Sequence, residues 1–283
     1  VAQAGLSIRL AAALALVALA GCGDSAEPAP ATRAKGEAVV WAVGDGADGS
    51  DPARRLARAI ERDRPDALLY LGDVYPDGTP EDFVLRYQPV YGGLAGLTWP
   101  TIGNHEYANR ASGYNPYWRR HDRAKPWYRV RLAGWEVFSL NSQAAHGPGS
   151  PQLRWLERRL AGADGNCRLA FWHRPRYSAG IVHGDAPDVA PLWDALAGHA
   201  RLVLSGHDHA MMRYRPHDGM TEFVAGSGGA TLYETRPDDR LAFSRSGVTG
   251  GLRITLAPGS ARLEFRSVDG EVLDRSRTRC DPA

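Results

Sequence analysis

Five short apolar runs in this 283-residue chain each end on a polar cluster: AVVWAVGD on Asp45, ALLYLGD on Asp73, LTWPTIGNHE on Glu106, CRLAFWH on His173 and RLVLSGHDH on His209. The clusters supply Asp45, Asp73, Asn104, His105, His173, His207 and His209. That mixture of carboxylate, amide oxygen and imidazole suits first-row transition metals and fits calcium poorly. Singly, each has a plainer explanation: Gly-Asp after a strand is usually a turn, and a lone histidine is usually a hydrogen-bonded core residue. Their shared place at the end of an apolar run is what points to a metal centre.

The runs have strand length, and helix patterns lie between several of them. Residues 52–63 follow Asp51 as N-cap, a second helix starts at Pro80 and reaches Tyr87 or beyond, a third spans 151–161 behind Ser150, and a fourth spans 189–200. Alternation of strand and helix predicts an α/β fold whose sheet is largely parallel and covered by helices, with binding groups gathered at the carboxyl ends of the strands. After His209 the pattern becomes strands at 210–215, 221–225, 249–256, 261–267 and 271–278, with turns at Asp218-Gly219, Pro258-Gly259 and Asp269-Gly270. That half reads as mostly antiparallel.

Hydrophobic residues make up 43% of the chain and charged ones 23%, which excludes disorder and fibrous repeats. A net charge of +2 predicts no broad basic field for nucleic acid. Arg9 precedes an apolar run at 10–20, too short for a membrane span and fitting a secretory leader over residues 1–21. The run ends in Leu19-Ala20-Gly21-Cys22 and resembles a bacterial lipoprotein signal, which implies lipidation of Cys22 and attachment to the outer face of a bacterial membrane. Residues 22–36 then read as a tether of Ala, Pro and small polar residues, and 37–283 as a single domain. Export leaves Cys167 and Cys280 as an even pair in an oxidising compartment, where a disulfide between them is expected.

The order Gly44-Asp45, Gly72-Asp73, Gly103-Asn104-His105-Glu106, His173 and Gly206-His207-x-His209 resembles the calcineurin-like metallophosphoesterase superfamily. The run from His173 to Tyr177 and Ser178, the later His183-Gly184, Ala47 two places after Asp45, and Gly226-Ser227-Gly228-Gly229 look most like its purple acid phosphatase branch. The resemblance implies a four-layer αββα sandwich with two mixed sheets. It also implies two metal ions: Asp45, Asp73 and His209 on one, and Asp73, Asn104, His173 and His207 on the other, with Asp73 bridging. Iron with iron, manganese or zinc, or a manganese pair, would serve. The implied reaction is attack of a metal-bound hydroxide on the phosphorus of a phosphomonoester. His105 then faces substrate, and His183 is a second candidate for proton donor or phosphate contact.

The branch supplies a tyrosinate three residues after the bridging aspartate. Here that position is Pro76, and Tyr75 stands two residues on. A one-residue shift reverses a side chain in an extended segment but can be absorbed in a turn, so Tyr75 is a candidate ligand whose place depends on the loop. The sequence leaves two other readings: a phosphodiesterase acting on cyclic nucleotides or lipid headgroups, and a surface lipoprotein that binds phosphate or metal without turnover.

Overall fold

The computed structural model of the protein describes residues 1–2, 36–161, 165 and 167–281. The apolar leader run, Cys22 and the tether up to Lys35 lie outside the described residues. Strands are numbered in chain order. One six-stranded sheet has the order β13 (Val272–Arg279), β12 (Ser260–Ser267), β11 (Gly250–Ala257), β1 (Ala38–Val43), β2 (Ala67–Tyr70), β3 (Thr98–Pro100). The second, seven-stranded, runs β10 (Leu241–Arg245), β8 (Met211–Tyr214), β9 (Thr221–Ala225), β7 (Leu202–Ser205), β6 (Arg168–Phe171), β5 (Trp135–Ser139), β4 (Tyr128–Leu132). Both are mixed. β1, β2 and β3 are parallel, as are β5, β6, β7 and β9, and antiparallel strands complete one edge of the first sheet and both edges of the second.

The sheets face each other through Val40, Ala42, Leu69, Ile254 and Phe265 on one side and Val137, Leu169, Phe171, Leu204 and Phe223 on the other. Alternate residues point outward. Val39, Trp41, Leu68 and Tyr70 are covered by the helix Asp51–Arg62 and the helical stretch 80–91. Phe138, Ala170, Trp172 and Val203 are covered by helices Pro151–Leu160 and Ala190–Leu196. The result is the expected αββα sandwich. Cys167, just before β6, is bonded to Cys280, just after β13, with 4.9 Å between their Cα atoms, so the disulfide ties one sheet to the other.

Several boundaries differ from the sequence reading. The first helix is capped by Ser50, whose hydroxyl accepts from the Ala53 amide, so Asp51 belongs to the helix itself. The fourth stops at Leu196 because Gly198 turns left-handed at φ 76°, two residues beyond. The β4–β5 hairpin and β10 carried no strong signal. β4 alternates exposed with half-buried positions after the buried Tyr128 on a sheet edge, and β10 is largely exposed.

Candidate metal centre

Asp45 follows β1, Asp73 follows β2, Asn104 and His105 open the short helix Asn104–Tyr107 after β3, His173 follows β6, and His207 and His209 follow β7. Parallel strands deliver all seven to one end of the sandwich. Asp45, Asp73 and His207 hold left-handed backbones at φ 61°, 69° and 70°. Such non-glycine conformations cost about 1–3 kcal/mol each and occur where surrounding structure enforces a functional geometry. The glycines before the ligand positions have a packing reason. A Cβ on Gly103 would lie 2.0 Å from Asp73 Oδ1, and one on Gly72 would lie 2.7 Å from His173 Nδ1.

The donors converge in two groups. In the first, the Tyr75 hydroxyl lies 2.8 Å from His209 Nε2, 3.3 Å from Asp45 Oδ1 and 3.4 Å from Asp73 Oδ2. In the second, His173 Nε2 lies 2.9 Å from Asn104 Oδ1, 3.1 Å from His207 Nδ1 and 3.3 Å from Asp73 Oδ1. One donor atom from each of Asp73, His173 and His207 lies within 4.8 Å of the others. The turn after Asp73 therefore absorbs the shortened spacing and brings Tyr75 in among the predicted ligands.

Backbone carbonyls fix the imidazoles. Leu71 O lies 2.8 Å from His173 Nδ1, and Thr231 O lies 2.5 Å from His209 Nδ1. Each of those nitrogens carries a proton, so Nε2 is the atom each ring turns toward the site. The donor set fits cations. Burial, with the charges of Asp45 and Asp73, pushes the Tyr75 phenol far above its ordinary value. Only added positive charge would let it ionise there. Burial alone would raise Asp73, but His173 and His105 hold its carboxyl below the usual range. Burial, with His173 and His183 nearby, holds His207 down to about 2, so His207 presents a neutral imidazole.

His105 lies over the Tyr75 ring at 4.4 Å, its Nδ1 2.5 Å from the Pro76 carbonyl and its Nε2 3.8 Å from Asp73 Oδ2. His183 stacks on His207 at 3.9 Å. Both predicted substrate-facing histidines thus border the donors.

Four residues of the site were given no role from the sequence, Glu106 having been read only as the end of an apolar run and a member of the Gly103-to-Glu106 motif. Glu106 is fully buried and accepts from the amides of Gly103, Asp73 and Val74, tying the β2 loop to the β3 loop. Its place three residues after the helix N-cap Gly103 was the available signal. Asp208 accepts from Ser178, which holds the loop carrying His183. Glu222 accepts from the Arg176 and Tyr177 amides. Tyr233 stacks on His209 at 4.1 Å and meets His183 edge-on.

The calcineurin-like phosphoesterase family model matches residues 38–211, the segment that supplies every one of these ligand candidates. The chain belongs to that family. A Synechococcus protein described as a probable cyclic nucleotide phosphodiesterase is 29% identical over 231 residues, covering 76% of this chain and 81% of the relative. Mouse tartrate-resistant acid phosphatase type 5 is 23% identical over 265 residues, covering 78% and 81%. The purple acid phosphatase PPD1 from yellow lupin superposes with a TM-score of 0.72 at 17% identity, over 86% of this chain and 54% of that one. The fold is that of the purple acid phosphatase branch, and the protein is a metal-dependent phosphoester hydrolase.

Proposed function

We propose that the protein hydrolyses phosphomonoesters at a dinuclear centre in which Asp73 is the shared ligand. The two-sided placement of Asp73 carries this reading: Oδ1 faces His173 and Oδ2 faces Tyr75. Asp45, Asp73, Tyr75 and His209 then hold one cation, and Asp73, Asn104, His173 and His207 the other. A phenolate beside the first position favours ferric iron there, with iron, manganese or zinc in the second. Bound, such a pair activates water and offsets the charge on the phosphoryl oxygens.

The chain's own groups do the rest. With Nδ1–H of His105 donating to the Pro76 carbonyl, Nε2 is the nitrogen left to face the leaving oxygen, and the imidazolium form gives its Nε2 proton there. Burial keeps His183 below the ordinary imidazole value, which favours the uncharged ring, and its place against His207 makes it a contact for a phosphoryl oxygen. Glu106 and the left-handed corners hold the donors in place before substrate arrives.

Initial rates on an aryl phosphate and a bis-aryl phosphate, with metal-reconstituted protein, test the reading. Faster turnover of the monoester is expected. A reversed ranking would favour the diesterase reading, which the Synechococcus relative supports. Phosphate binding with no hydrolysis of either ester from acidic to neutral pH would exclude both.

Export with lipid attachment at Cys22 belongs to the same proposal. It is supported by the Leu19-Ala20-Gly21-Cys22 run and by a disulfide suited to an oxidising compartment.

A further inference from the structure

The outer face of the first sheet is covered by helices over β1 and β2 but carries arginines over β12 and β13. Arg262, Glu264 and Arg266 alternate with core residues on β12, and Arg275, Arg277 and Arg279 alternate with the half-buried Ser276 and Thr278 on β13. Five arginines thus share a face with one glutamate. Arg262 and Arg277 are direct partners in the strand register, a like-charge pairing that a sheet disfavours unless an anion lies between. Glu264 serves both Arg266 and Arg275, and Glu37 lies 3.4 Å from Arg262. Among the described residues, Arg277 and Arg279 have no ion-pair partner. The side chains of Arg262 and Arg275 are 52% and 73% exposed. A cleft of about 300 Å³ opens between Arg262, Glu264, Arg275 and Arg277.

The position of this face matters as much as its charge. The register places Val39, Thr255, Arg262 and Arg277 in one row across β1, β11, β12 and β13, at the end where the chain enters β1. Arg33 and Lys35 precede that entry in the sequence. Asp45 lies beyond the other end of β1, roughly 20 Å away along the strand.

We propose that this arginine face docks on an anionic phospholipid surface, next to the point where the N-terminal segment joins the domain. A surface held there leaves the strand-end site uncovered, so the substrates are soluble phosphoesters rather than headgroups of the same membrane. The second half rests on the site proposed above; the docking does not.

The test uses the full chain carrying C22S, so that no lipid anchors it, sedimented with phosphatidylcholine vesicles with or without phosphatidylglycerol. Binding should require phosphatidylglycerol and fall as salt rises. R262E/R277E/R279E should bind roughly tenfold more weakly or worse, while R154E/R158E/R159E, with the same change in charge on another face, should bind as the parent does. Equal binding by both triple variants, equal binding to both vesicles, or stronger capture by duplex DNA would overturn the docking. Aryl phosphatase activity reports folding of the variants. Unchanged kcat/KM on vesicles supports the open mouth, and inhibition on anionic vesicles alone would refute it. Absence of activity in solution would count against the proposed hydrolysis, leaving vesicle binding to decide the docking.

Discussion

The Tyr75 hydroxyl lies 2.8 Å from His209 Nε2 and within 3.4 Å of the Asp45 and Asp73 carboxylates. Its phenol oxygen is therefore placed for a cation held by those three residues. Protein reconstituted with iron should show an intense long-wavelength absorption band, and Tyr75→Phe should lose it while retaining two metals by elemental analysis. An unchanged spectrum in the variant would remove Tyr75 from the ligand set.

Asp73 stands between the two donor groups, so its loss should empty both. Asp73→Ala is expected to carry no stoichiometric metal after reconstitution and to show no turnover, whereas Asp45→Ala should weaken one position more than the other. Metal content measured on the two purified variants checks this, and full loading of Asp73→Ala would contradict the bridge.

His105 lies beside the donors without being one of them. His105→Ala should keep both metals and lose turnover by about 10²–10⁴-fold. The loss should be smaller for substrates whose leaving group is a good phenolate, because such a group needs little help from a proton donor. A uniform loss across leaving groups would instead make His105 a positioning residue.

Much of this centre was legible because parallel strands end where their ligands begin: apolar runs closing on Asp45, Asp73, Asn104, His173 and His207 announce both the sheet and the site. The residues that hold the loops were not. Glu106 reaches an amide 32 positions away at Val74, and Glu222 one 46 positions away at Arg176. No local period encodes a carboxylate that acts on a distant backbone. Tyr75 was ambiguous for a different reason, since two or three residues after Asp73 cannot be told apart without the shape of the turn. Tyr233 sits on an irregular segment and meets His209 only once the chain has folded.

Glu222 should make stability depend on pH. Burial pushes its carboxyl up to about 7 from an ordinary 4.5. Between those values the folded protein holds a proton that the unfolded chain has released. Its contribution is therefore fully present below about pH 4.5 and declines as pH rises to about 7, by about 3 kcal/mol. Urea unfolding at several pH values should show a steeper decline in the parent than in Glu222→Gln, where the similarly raised Glu106 remains.

The Cys167–Cys280 bond closes a loop with a sequence separation of 113. Cross-links over loops of that length stabilise by about 3–5 kcal/mol. Cys167→Ser/Cys280→Ser should melt several degrees lower. It should keep its activity at room temperature, because neither cysteine is among the ligands.

Three of the ligand corners, Asp45, Asp73 and His207, hold backbones that glycine would adopt more readily than aspartate or histidine. Without ions, that strain and the crowded carboxylates have little to oppose them, so chelation should lower the melting temperature as well as the rate. The cations then act as rivets of the scaffold, and starvation for metal would leave a softer protein more open to proteases, not merely an idle one.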